Sequence, residues 1–71
     1  MKATLDIVKI LAAGGGITMD AKAKSFTDLV KLAATAKSSG ATLILRNVGL
    51  KATNDLVRIG QAGGGKVICE I

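Results

Sequence analysis

The chain has 71 residues, 49% of them apolar, with one aromatic residue, no proline, no histidine and a single cysteine. That composition is too apolar for disorder, excludes an internal disulfide, and leaves no ligand set for a zinc site. A net charge of +5 and a pI near 9.8 permit contact with nucleic acid or an anionic surface, yet the cations are scattered with no basic run.

One domain, residues 1–71, is the most this length supports, and its core lies near the lower limit for independent stability. A chain of this size buries only about 60% of the surface it exposes when unfolded, so self-association often helps. The large aliphatic share points the same way. Asp6 and Lys9 interrupt the first apolar segment, which argues against a signal peptide. No apolar run approaches the ~18 residues that span a bilayer. The expectation is a cytoplasmic protein with no membrane span.

The first unit opens on Lys2–Gly16, KATLDIVKILAAGGG. Thr4 is placed to cap a helix over 4–13, Asp6 complements the dipole in its first turn, and Gly14 stops it. Ile7, Val8, Ile10 and Leu11 form the apolar stripe, with Asp6 and Lys9 on the wet side. Ile17–Asp20 then alternates apolar and polar as a half-buried strand does. Residues 21–25 read as a polar return loop.

A second helix is expected over 27–38, capped by Ser25 or Thr27 and stapled by Phe26. Leu29, Val30, Leu32, Ala33 and Ala36 make its core stripe, and Ser38-Ser39-Gly40 ends it. Residues 41–46 are dense in β-formers and give the strongest strand.

The third unit begins at Lys51–Gly65, KATNDLVRIGQAGGG, and shares Lys, Ala, Thr, Asp, Val, Ile, Ala and the three glycines with the first. A helix over 53–62, capped by Thr53, turns Leu56, Val57 and Ile59 inward. Gly60, inside that helix, implies a close neighbour, because a mid-helix glycine costs roughly 1 kcal/mol against alanine. A last strand covers 66–71.

The chain therefore reads as three helix–glycine–strand repeats, approximately 2–20, 24–46 and 51–71. Alternating helices and strands predict an α/β fold with a small parallel three-stranded sheet in the order 1-2-3 and helices on one side, a short solenoid-like stack. The segment Leu43-Ile-Leu45-Arg-Asn47-Val-Gly-Leu50 resembles the strand and turn of a leucine-rich repeat. The resemblance covers one unit and implies a horseshoe-like geometry whose open sheet face is free for partners.

No constellation for catalysis is legible. The acids form no adjacent pair, histidine and tyrosine are absent, and Ser25, Ser38 and Ser39 have no base at a recognisable spacing. Cys69 alternates inward with Val67 and Ile71 and reads as a buried thiol. The triple glycines follow helices instead of preceding them, so they cap helix C-termini and do not cradle phosphate. Catalytic residues, metal sites and cofactors are therefore not expected.

Two surfaces stand out. Alternation puts Thr18, Asp20, Ile44, Arg46, Ile68 and Glu70 on the open side of the sheet. Asp20, Arg46 and Glu70 fall in one row, a cation between two carboxylates, beside the row Thr18, Ile44, Ile68. Ile71 completes the free edge of the last strand, which other chains can pair with. The second surface is a basic stripe on the helix side, Lys2, Lys24 and Lys51 with Lys9, Lys31 and Arg58, flanking Asp6, Asp28 and Asp55.

The reading is a non-catalytic, homo-oligomeric structural or protein-interaction module whose partner is a second copy of itself. Assembly is either a symmetric dimer, somewhat favoured, or head-to-tail stacking of the first unit on the third. The alternative is a small basic regulatory protein that binds nucleic acid or an acidic protein. The interspersed acids and missing stacking aromatics weigh against it.

Overall fold

A computed structural model of the chain describes residues 3–70. Lys2, which opens the basic stripe, and Ile71, at the strand edge, lie outside the described residues. Three helices alternate with three strands: α1 (Thr4–Ala12), β1 (Ile17–Asp20), α2 (Phe26–Ser39), β2 (Leu43–Arg46), α3 (Thr53–Gly63) and β3 (Val67–Cys69). The strands form one parallel sheet in the order β1-β2-β3, as the alternation requires. None of the described helices is long and apolar enough to cross a membrane.

The core lies between the sheet and a helix layer in which α2 sits between α1 and α3. Leu11, Leu29, Leu32, Leu43, Leu45, Val48 and Ile59 are fully buried, each contributing about 1.5–3 kcal/mol. Met19 is buried, and Ile17, Val67 and Cys69 pack against the same cluster. Alternate strand residues therefore face the helices, and the opposite face of the sheet is open.

Two expected core residues lie outside it. Ile10 on α1 is 39% exposed and Val57 on α3 is 52% exposed. Both share their helix's apolar stripe, but α1 and α3 each have α2 on one flank only. The sequence pattern is the same in every unit, whereas the neighbour is not.

The helix ends follow the glycines. In α1, Gly15 N–H donates to the Ile10 carbonyl (3.1 Å) and Gly14 N–H to that of Leu11 (2.9 Å), with Gly14 at φ 91°. This is a Schellman closure. At the ends of α2 and α3, left-handed Gly40 donates to Ala36, and the N–H of left-handed Gly64 is shared between Gly60 and Gln61.

The N-termini of α1 and α3 depart from expectation, and that of α2 does not. Thr4 and Thr53 are the first helical residues and not caps: Ala3 and Ala52 hold the cap positions in extended conformation, with no side-chain cap bond. Thr4 Oγ1 donates instead to Asp28 Oδ2 at 3.3 Å, tying α1 to α2. Among the described residues, α2 alone of the three α-helices has a side-chain cap, Ser25 Oγ accepting from Asp28 N–H at 3.3 Å.

The close approach sits three residues away from where the sequence places it. A Cβ at Gly60 would meet nothing within 4 Å, whereas one at Gly63 would strike the Val67 side chain and come within 3.6 Å of Ala33. Buried Gly63 lets α3 settle against both α2 and β3. The return segments are ordered as short 3₁₀ turns, Ala21–Ala23 and Val48–Leu50. Ala21 and Val48 are fully buried where these turns leave the strands, so residues 21–25 are more than a polar loop.

Candidate functional site: the open face of the sheet

Parallel pairing sets the site. Thr18 pairs with Ile44 and Ile44 with Ile68, so these three side chains form one lateral row on the face away from the helices. Ile44 is half-buried between its neighbours, and Ile68 on the outer strand is 49% exposed. Pleating puts Asp20, Arg46 and Glu70 in the next row. Asp20 pairs with Arg46, and Glu70 continues the ladder past β3 by donating its N–H to the Leu45 carbonyl at 2.9 Å.

The charges in that row are not shared symmetrically. Arg46 Nε lies 3.3 Å from Glu70 Oε1, with the two side chains 64% and 52% exposed. So exposed a pair is worth at most about 1 kcal/mol, and its use is to fix where the charges point. Asp20 is engaged elsewhere: Oδ1 accepts from Lys22 N–H and Oδ2 from Asn47 Nδ2, both at 2.8 Å. These bonds hold the Asp20 carboxyl below the usual aspartate range, the Lys22 amide contributing most and the Asn47 amide next. The expected cation between two carboxylates is thus one ion pair beside a carboxylate that braces the turn after β1.

Asn47 is what the strand pattern did not disclose. Among the described residues it is the one non-glycine at positive φ (57°), a left-handed conformation that asparagine tolerates better than most. That geometry ends β2 and aims the side-chain amide back at Asp20. An asparagine directly after a β-rich run and before Val-Gly was the available signal.

The basic stripe is less of a unit. Lys9, Lys31 and Arg58 are exposed, one per helix, at matching repeat positions. Lys24 and Lys51 are brought together, but Lys51 Nζ donates to the Lys24 backbone carbonyl at 3.2 Å, a structural use of that ammonium. Asp28, among these cations, accepts from Thr4.

Cys69 is half-buried on the helix side, and burial pushes its thiol up. Among the described residues, no group of His, Cys, Asp and Glu side chains could hold a metal ion. The Gly14, Gly15 and Gly64 amides already donate to helix carbonyls. Compared with protein-family models, with curated proteins and with solved structures, the chain gives no significant match.

Proposed function

We propose that the protein is a non-catalytic, self-associating structural or interaction module, and that a second copy of the chain docks on the open face of its sheet. The carrying observation is the adjacent pair Ile44 and Ile68 on that face, with Ile68 half-exposed at the outer strand. Covering this aliphatic pair removes apolar surface from water, which favours a partner on this face. The Arg46–Glu70 pair beside it supports a second copy in particular. A two-fold axis parallel to the strands, between β2 and β3, brings Arg46 of each copy towards Glu70 of the other, so the surface is self-complementary in charge.

Ile68→Lys is the direct test. It places a charge at the centre of the patch without touching the helix layer, so the solution mass should fall while helical circular dichroism is retained. An unchanged mass at every concentration would remove the sheet face from the interface. The competing reading, a basic module for nucleic acid or an acidic protein, predicts binding that weakens steeply with salt, whereas apolar association persists in high salt.

A further inference from the structure

We propose that the two ends of the helix layer form a head-to-tail interface, in which the exposed flank of α3 in one copy receives the exposed flank of α1 in the next. This rests on the self-association reading above and assigns it a second surface.

Equivalent positions in the three helices carry the argument. Val8, Val30 and Val57 occupy one position in the units, and Ile10, Leu32 and Ile59 another. Two residues apart on a helix is about 200° around it, so the two rows lie on opposite flanks. With α2 between its neighbours, the valine row faces the following helix and the other row the preceding one. Burial follows that order. Val8 and Val30 pack against the core while Val57 is exposed; Leu32 and Ile59 are fully buried while Ile10 is exposed. Val57 thus stands where a following helix would cover it, and Ile10 where a preceding one would.

The polar groups repeat the same step. Across α1 and α2, Thr4 donates to Asp28. The corresponding residues at the free ends are Thr53, which is exposed and makes no cap bond, and Asp6, which is exposed. Docking α1 of the next copy on α3 sets Thr53 against that copy's Asp6, as Thr4 is set against Asp28. The sheet continues in register as well. Ile17 N–H donates to Thr42 and Leu43 N–H to Lys66, each time from a strand's first residue to the next unit. The same step from Val67, at the free edge of β3, leads to the Gly16 carbonyl of the next copy. Apolar flank, hydrogen-bond pair and strand edge are therefore complementary between the two ends, each continuing an interface already present inside the chain. The contact is heterologous, so repetition gives a ring or a filament.

The test uses the full chain in an Ile68→Lys background, which silences the sheet face, with mass followed by light scattering. The parent should still associate. Ile10→Asp and Val57→Asp, both at exposed positions, should each be monomeric with helicity unchanged. Mixed in equal amounts they should form dimers and nothing larger, because only one intact α3 flank and one intact α1 flank remain to meet. Thr53→Val in the same background should weaken association by about tenfold. A monomeric parent, end variants that associate like the parent, or a mixture that stays monomeric each overturns the head-to-tail interface. If the Ile68→Lys chain keeps the wild-type mass and the end variants abolish association, the sheet-face reading fails and this one stands.

Discussion

At the scale of single residues, the two glycines of α3 have opposite roles. Gly60 is conformationally expensive and structurally unneeded, since a methyl there meets nothing within 4 Å. Gly60→Ala should stabilise the fold by about 0.5–1 kcal/mol in chemical denaturation. Gly63→Ala should destabilise it by roughly 1–3 kcal/mol, because the methyl drives into the Val67 side chain in a filled core. Equal effects of the two would contradict the packing described. Asp20 makes a prediction with pH. Its carboxyl is held below the ordinary aspartate range by the Lys22 and Asn47 amides. A group depressed in the folded state stabilises above its unfolded pKa, and that contribution is lost as pH falls through the folded value. Thermal unfolding scanned from neutral to strongly acidic pH should therefore show a smaller acid-side loss in Asp20→Asn than in the native chain. Matching pH profiles would mean that the brace contributes nothing.

At the scale of elements, the helices differ in how they begin. α2 is capped by Ser25, and Ser25→Ala should cost about 1 kcal/mol. α3 begins behind Ala52, whose extended φ of −64° and ψ of 142° suit a capping side chain that alanine lacks. Ala52→Ser should then stabilise by up to about 1 kcal/mol, with Asp55 in the first turn reinforcing the cap. Urea midpoints moving in opposite directions for these two substitutions would confirm the assignment, and a destabilising Ala52→Ser would refute it. The elements were largely legible in the sequence. Helical stripes ending at glycine and followed by alternation located three helices and three strands to within a few residues, with their order and parallel sense. The row Thr18, Ile44, Ile68 followed from alternation alone. What was not legible depends on neighbours. Ile10 and Val57 look like core because repetition hides which units stand at the ends. Thr4 and Thr53 fall one residue inside their helices, behind Ala3 and Ala52, and Thr4 then bonds Asp28 on another helix, a partner the local pattern does not show. The Asp20–Asn47 link needs a left-handed backbone at Asn47, which strand periodicity does not encode.

At the scale of the whole molecule, one sheet face and both ends of the helix layer carry apolar side chains in solvent: Ile68, Ile10 and Val57. A chain of 71 residues has little core to spare, and covering these surfaces adds burial that the isolated fold lacks. Association is therefore the central claim, and the solution mass of the unmodified chain tests it most directly. Light scattering from low to high micromolar concentration, at low and high salt, should give a mass well above the 7.2 kDa of one chain, rising with concentration and persisting in high salt. A mass that stays at 7.2 kDa throughout would contradict the account.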